Sequence, residues 1–175
     1  MTGEAGAPAA VRLVRDFINT YEPQEDDESL TSPEQLRDWL TGRALLPPGT
    51  RVTGAQRTAA LRLREGLRTA LSDGDPGSLN DALAEVPVRL VLTGSGPALA
   101  PVRAAAFDRA MAALVDAIRA CGQDSTWSRL KVCARDSCRW AFYDESRNQA
   151  RRWCSMAGCG NRAKVARHYD RSRLA

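Results

Sequence analysis

The chain has 175 residues, of which 43% are hydrophobic and 26% charged, and a formal net charge of +4. This length fits one ordinary domain with a small appended module and excludes two large domains, while the composition excludes wholesale disorder. No apolar run approaches the ~18 residues of a membrane-spanning helix. The first ten residues lack the basic flank and apolar stretch of a secretory signal, so we expect a cytoplasmic protein.

The charge is distributed unevenly along the chain. Residues 129–175 carry twelve Arg and Lys against four Asp and Glu, a net charge of +8. Residues 1–128 carry thirteen against seventeen, a net charge of −4. Such a division is typical of an anion-binding module attached to a domain with another role, although a basic surface can also be only a solvated face. The basicity of the last third favours nucleic acid as a partner.

Apolar periodicity predicts a mainly helical N-terminal part that begins with a helix over residues 9–20. An acidic, polar loop covers residues 22–30. Ser32 then has the character of a helix N-cap, with Pro33 at the first helical position and Gln35 three residues on. Gly42, ten residues after Ser32, predicts the end of this second helix.

A longer third helix is predicted over residues 53–72, with an apolar stripe on one side. Five arginines between Arg51 and Arg68 lie largely off this stripe, and we expect them to form a solvated face rather than a ligand-binding surface.

The remainder of the N-terminal part, taken to residue 125, mixes helix and strand. A short helix is predicted over residues 78–85, and alternating apolar residues predict strands over 88–92 and 98–102. Residues 104–120 show the clearest helical periodicity in the chain. Cys121 and Gly122 are expected to end that helix, which leaves residues 123–128 as a linker.

Four of the five cysteines fall into two pairs of the form C-x4-C, separated by fifteen residues. Cys133 and Cys138 form the first pair, and Cys154 and Cys159 the second. Two such pairs can surround one Zn²⁺ ion tetrahedrally, and four thiolates leave no open position, so the predicted site is structural. Two disulfides, an iron–sulfur cluster or four unrelated buried cysteines are the alternatives. Cys121 stands apart and is expected to be a small buried hydrophobic residue.

Alternation around the cysteines predicts the local structure of this module, residues 129–175. Leu130 and Val132 precede the first pair, and Trp140 and Phe142 follow it, which suits a hairpin whose turn contains both cysteines. A helix is predicted from about residue 160 to 171. The resulting fold class is α+β and mainly α: a helical N-terminal domain with a small β-hairpin, followed by a treble-clef-like zinc finger.

Within the last helix, Val165 is expected to face inward. Asn161 and Arg162, beside ligand Cys159, are expected to cap the helix or to hydrogen-bond a thiolate sulfur. Trp140 and Trp153 are expected to form the core of this small module rather than to stack on bases.

These residues are similar to a known family. Residues 154–165, CSMAGCGNRAKV, resemble the CGNR zinc finger, and the likeness extends from about residue 130 to 173. Upstream, DFINT at 16–20 and TSPEQLRDWL at 31–40 are similar to the ABATE domain, the usual partner of that finger. The resemblance implies a bacterial, stress-related transcriptional regulator that binds DNA through its zinc finger.

The basic residues of the module offer both phosphate neutralisation and bidentate contacts to guanine. Alternatively, some of them hold the module to itself or to the acidic N-terminal part. The candidate DNA-binding residues are Arg147, Arg151, Arg152, Arg162, Lys164, Arg167 and Arg171. Because one finger offers little contact surface, a homodimer is also expected.

Two other functions remain open. In a sensor or protein-interaction module, residues 1–125 would bind a metabolite or a partner, with Asp16, Asn19 and Thr20 as candidate ligand-binding residues. Helix termination and capping explain these three residues more simply. A treble-clef nuclease would need a histidine base and further metal ligands, whereas this chain has one histidine, His168. We therefore expect no catalysis.

Overall fold

The computed structural model describes residues 6–123 and 126–165, and within them the chain is mainly helical with three two-stranded antiparallel sheets. This confirms the predicted fold class. The helices are α1 Ala9–Ile18, α2 Pro33–Thr41, α3 Gly54–Asp73, α4 Gly77–Ala84 and α5 Ala106–Gln123. The strands are β1 Tyr21–Glu22, β2 Asp27–Glu28, β3 Val88–Thr93, β4 Gly96–Pro101, β5 Leu130–Val132 and β6 Ala141–Tyr143. No helix in the described part of the chain is long and apolar enough to cross a membrane.

Capping residues fix where α2 and α3 begin. The Ser32 hydroxyl accepts a hydrogen bond from the backbone N–H of Gln35, whose side chain accepts one from the backbone N–H of Ser32. Thr53 and Gln56 form the same reciprocal pair before α3. Each capping box satisfies two backbone donors that a helix N-terminus leaves without partners. Both predicted helix starts are confirmed.

Helix α5 ends later than predicted. It continues through Cys121 and Gly122 to Gln123, because the Cys121 side chain is fully buried and extends the apolar face of the helix by one more turn. The Cys121 carbonyl also accepts a hydrogen bond from the hydroxyl of buried Thr126, at 2.9 Å. Part of the expected linker is therefore packed against the helix that precedes it.

One continuous core joins the helices to the third hairpin. Helix α1 packs against both α3 and α5, and strands β5 and β6 pack against α3 and α1 respectively. Leu130, Val132, Ala141 and Tyr143 of that hairpin are buried in the same cluster as Phe17 and Leu63. The division into residues 1–125 and 129–175 stays a prediction, but the two parts share this core.

The expectation of a solvated arginine face on α3 is wrong for Arg64 and Arg68, which are each 3% exposed. Arg64 makes a bidentate ion pair with Glu28, with N–O distances of 2.7 and 2.6 Å. Arg68 donates to the carbonyl oxygens of Ile18, at 2.7 Å, and Arg139, at 2.8 Å. The Ile18 carbonyl lies at the end of α1, and the Arg139 carbonyl lies just after the first cysteine pair. The buried Arg68 guanidinium thus satisfies backbone acceptors outside the regular hydrogen bonding of helices and strands.

The acidic loop predicted after α1 folds into a small hairpin. Tyr21 pairs with Glu28 and Glu22 with Asp27. Asp26 adopts a positive φ of 52° at the turn and accepts a hydrogen bond from the Tyr21 hydroxyl, at 2.8 Å. Residues 21–28, which we call the acidic hairpin, contain five carboxylates and no basic residue.

Candidate metal centre

The structure brings the four paired cysteines together. The Sγ atoms of Cys133, Cys138, Cys154 and Cys159 all lie within 4.8 Å of one another, and none forms a disulfide. The Sγ atom of Cys154 lies 3.7 Å from that of Cys138 and 3.8 Å from that of Cys159. Four sulfurs at Zn–S distances of ~2.3 Å around one ion would be about 3.8 Å apart. The four cysteines therefore form the site of a single zinc ion.

Backbone hydrogen bonds shape the first pair. The Cys133 N–H donates to the Trp140 carbonyl at 2.9 Å and closes the hairpin, while the Cys138 N–H donates to the Arg135 carbonyl at 2.8 Å. Arg139 follows with a positive φ of 47° and turns the chain into β6. The turn places both thiols on the same side of the hairpin as Phe142.

The second pair lies on a tight turn that leads into the last helix. The Ser155 hydroxyl accepts from the Gly158 N–H at 3.2 Å, and Met156–Gly160 form one turn of π-helix. A Cβ atom at Gly160 would lie 2.8 Å from the Met156 sulfur and 3.3 Å from a Trp153 ring carbon. Because the Met156 side chain is exposed and can move, glycine eases this close approach to the Trp153 ring, and residues 161–165 continue as α-helix.

The electrostatics of the thiols fit a cation. Hydrogen bonds from Cys138 and Cys154 lower the pKa of Cys133 to about 2, whereas the bond to Cys133 raises the pKa of Cys138 to about 11 and that of Cys154 as well. Without a cation, one thiolate thus suppresses ionisation of its neighbours. A divalent cation would stabilise four thiolates together, and four ligands leave no position for substrate, so the zinc has a structural role.

A small second core surrounds the site. Phe142 is buried against the cysteines, and Trp140 and Trp153 are partly buried beside it, which agrees with their expected core role. The Arg151 guanidinium lies 4.8 Å from the centre of the Phe142 ring. It also donates to the carbonyl oxygens of Trp153, at 2.9 Å, and Cys154. Arg151 thereby supports the backbone of the second cysteine pair.

Asp144 is not among the predicted site residues, yet it is fully buried beside this core. Its carboxylate accepts hydrogen bonds from the Lys131 ammonium at 2.7 Å and from the backbone N–H groups of Ser146 and Arg151, both at 3.0 Å. Burial alone would raise the pKa of Asp144, but the bonds from Lys131 and Ser146 outweigh it and hold the pKa at about 2. Asp144 thus ties the hairpin to the segment that leads to Cys154.

Comparison with known families agrees with this geometry. The CGNR zinc finger matches residues 129–172. The ABATE family, described as "Putative stress-induced transcription regulator", matches residues 11–136, well over half of the chain. The chain belongs to the ABATE family. A search of curated proteins found no match. The two family matches overlap in the hairpin, where the structure shows the ABATE region and the zinc finger sharing one core.

The candidate DNA-binding residues of this ABATE protein occupy different surroundings. Arg147, Arg152 and Lys164 are exposed, and the Arg152 guanidinium lies 5.5 Å from the Trp153 ring centre. Arg162 is exposed and donates to the Gln24 side chain at 3.2 Å. Arg151 is engaged with the backbone, as described above. Arg167, Arg171 and His168 lie outside the described residues.

Asn161 and Val165, at the start of the last helix, both lie outside the metal centre's core. The Asn161 side chain donates to the Ala157 carbonyl at 3.2 Å, so the hydrogen bond described for it holds the turn rather than a thiolate. Val165 is 54% exposed, so the expectation that it faces inward is wrong: the core beside this helix is formed by the cysteines and the aromatic residues around them.

The candidate ligand-binding residues make internal contacts. The Asn19 side chain pairs with the backbone of Ala141 in both directions, at 2.9 and 2.8 Å. Thr20 is buried and accepts a hydrogen bond from Arg64 at 3.1 Å. Asp16 pairs with the adjacent Arg15 at 2.8 Å. These contacts give Asn19 and Thr20 structural roles that join α1 to the zinc finger hairpin and to α3.

Proposed function

We propose that this protein binds duplex DNA through the exposed basic side chains around its zinc centre and acts as a transcription regulator. The observation that carries the proposal is the set of exposed cations Arg147, Arg152 and Lys164. None of them has an acidic partner within residues 6–123 and 126–165. They belong to a segment with a net charge of +8, so phosphate groups are the natural counter-ions.

The zinc centre suits such a surface because it makes a small module rigid. Two cysteine pairs, the Asp144 carboxylate and the Arg151 guanidinium all hold the backbone that carries these cations. A preformed array of charges loses less conformational entropy on binding than flexible arginines would. With four cysteine ligands the metal has no position for substrate, which supports a binding role rather than catalysis.

The proposal is tested by measuring the affinity of the zinc-loaded protein for a fluorescent 30-base-pair duplex by anisotropy. The test variant replaces three cations of the zinc finger with alanine: Arg147, Arg152 and Lys164. The control variant removes the same charge from exposed positions of the N-terminal part: Arg51, Arg89 and Arg109. Zinc content and circular dichroism establish that each variant is folded.

We expect the test variant to lose about tenfold or more in affinity at low salt, because each lost phosphate contact removes part of the counter-ion release. The control variant should lose much less, since only overall charge changes. Equal losses of affinity in both variants would show that DNA is attracted by the overall charge of the protein rather than by this surface, and would contradict the proposed interface.

A second candidate function, a sensor of a small molecule, has one supporting observation. A shallow cleft of about 430 Å³ opens beside the acidic hairpin and α3. It is lined by Tyr21, Glu28, Thr58, Leu61, Arg62, Arg64 and Glu65. We propose this cleft, rather than Asp16, Asn19 and Thr20, as the place where an effector would bind. Saturation mutagenesis of Thr58 and Leu61, scored for loss of regulation with DNA affinity unchanged, tests this candidate.

A further inference from the structure

Two arginines of the zinc finger converge on one side chain of the N-terminal part. The guanidinium of Arg135, within the first cysteine pair, donates to Oε1 of Gln24 at 2.9 Å. The guanidinium of Arg162, directly after the second pair, donates to the same oxygen at 3.2 Å. Arg135 also lies 4.0 Å from the Cys159 sulfur, so the metal centre fixes its position. The acidic hairpin thus touches the zinc finger where two positive charges meet.

The positive charges of these two guanidinium groups are not neutralised by a paired carboxylate among the described residues. In the part of the chain that the structure describes, neither Arg135 nor Arg162 forms an ion pair with a carboxylate. A single neutral amide oxygen accepts from both, although two guanidinium groups of like charge repel each other. A phosphate group would remove this repulsion, because its several oxygens can accept from two planar guanidinium forks at once.

The acidic hairpin places a competing anion one residue away. The Gln24 amide that accepts from the arginines also donates, through Nε2, to the carboxylate of Glu25 at 3.0 Å. Glu25 is exposed, and its neighbours Asp26 and Asp27 are exposed as well. A phosphate that approaches Arg135 and Arg162 is therefore also repelled by the field of these carboxylates.

We propose that Arg135 and Arg162 form a binding site for a nucleic-acid phosphate, and that the acidic hairpin covers this site through Gln24 and Glu25. The inference rests on the proposed DNA-binding function and adds a regulatory role for the N-terminal part. Movement of the hairpin, or neutralisation of its carboxylates, opens the site. The hairpin sets how tightly the zinc finger holds DNA.

Two variants that leave the zinc ligands unchanged should move DNA affinity in opposite directions. Gln24→Glu places a carboxylate directly against both guanidinium groups and should weaken binding about three- to tenfold, with the salt dependence reduced by about one unit. Glu25→Gln removes the carboxylate that accepts from the Gln24 amide and should strengthen binding about two- to fivefold at low salt. Asn80→Asp and Asp81→Asn make the same charge changes at exposed positions of α4 and serve as controls.

A second probe does not depend on DNA. Inorganic pyrophosphate should raise the melting temperature of the wild-type protein by about one to three degrees, and should raise that of Gln24→Glu by less. If Gln24→Glu and Glu25→Gln bind DNA as their controls do, the inference is overturned while the proposed function stands. If the wild-type protein binds no DNA, the proposed function and the nucleic-acid role of this site both fail, even where pyrophosphate stabilises the wild type more than Gln24→Glu and so shows that the two arginines hold an anion. Failure of both probes overturns both.

Discussion

The buried carboxylate of Asp144 organises the loop between the two cysteine pairs. Its oxygens accept hydrogen bonds from Lys131 and from two backbone N–H groups. Replacing Asp144 with Asn keeps the shape of the side chain but removes its negative charge. We expect Asp144→Asn to lower the free energy of unfolding by about 2–3 kcal/mol, because charged hydrogen bonds are lost and buried donors remain. Urea unfolding of the zinc-loaded protein measures this. Asp136→Asn, at an exposed position within the first pair, is the control and should change little.

The lowered pKa of Asp144 also predicts how this difference depends on pH. The folded-state pKa of about 2 lies below the ordinary aspartate value of about 4, so the carboxylate contributes stability above pH 4 and loses it as the pH falls toward 2. The stability difference between the wild type and Asp144→Asn should therefore stay constant from about pH 6 to 8. A difference that shrinks within this range would contradict the assigned hydrogen bonds.

Asn19 joins the end of α1 to strand β6 through two backbone hydrogen bonds of Ala141. Asn19→Ala should reduce stability by about 1–3 kcal/mol, because it leaves the N–H and the carbonyl of a buried residue without their partner. Thermal unfolding compares it with Asn80→Ala, which removes an exposed amide from α4. A loss no larger than that of the control would return Asn19 to the list of candidate ligand-binding residues.

At the scale of elements, Arg68 connects α3 to two other segments, the end of α1 and the turn after Cys138. Its guanidinium donates to carbonyls at the end of α1 and after Cys138. Arg68→Met should cost about 3–5 kcal/mol in urea unfolding, since it removes a buried cation that several acceptors require. Arg62→Met is the matched control, because Arg62 is 62% exposed and makes a surface ion pair with Glu85. Equal effects of the two changes would contradict the buried role of Arg68.

Local signals explain why most elements could be predicted from the sequence. Capping residues and apolar spacing placed α2 and α3 within a residue or two, because these signals act within one helical turn. The burial of Arg64 and Arg68 could not be predicted in this way. Besides the nearby Glu65, their partners include Glu28 of the acidic hairpin, 36 residues from Arg64, and the Arg139 carbonyl just after the first cysteine pair, 71 residues from Arg68. Periodicity alone assigns a charged residue to the surface.

At the metal centre, too, the sequence predicted the ligands but not the residues that support them. The spacing of four cysteines predicted the ligand set, because chain length between ligands constrains which residues can share an ion. The residues that support the ligands could not be identified by spacing. Asp144 meets Lys131 only once the hairpin forms, and Gln24 meets Arg135 across 111 residues. A basic residue inside a C-x4-C turn was the one available signal for Arg135.

At the scale of the whole molecule, the zinc centre and the helical core are coupled through the β5–β6 hairpin. One face of the hairpin is buried with α1 and α3, and the other holds two of the four cysteines and Phe142. Removing zinc with a chelator should therefore lower the stability of the entire fold by several kcal/mol, rather than melt only the finger. Hydrogen exchange should show lost protection at Ala141 and at the end of α1.

Two cysteine variants separate loss of the metal from loss of a buried thiol. Cys121→Ser alters a buried thiol outside the metal cluster and serves as the control. This variant should still bind one zinc ion per chain, whereas Cys154→Ser should bind zinc far more weakly. Unchanged unfolding of the helical part after complete zinc removal would contradict the shared core.

A homodimer remains a prediction, which the molar mass from sedimentation equilibrium would test.

The central claim is that the zinc finger surface binds DNA through phosphate contacts. The most direct measurement is the affinity of the zinc-loaded wild-type chain for duplex DNA across a salt series. With about four to six phosphate contacts, the logarithm of the association constant should fall linearly with the logarithm of salt concentration, with a slope of about −4 to −5. No binding at the lowest salt by the folded, metal-loaded protein, or an affinity that does not change with salt, would contradict the account.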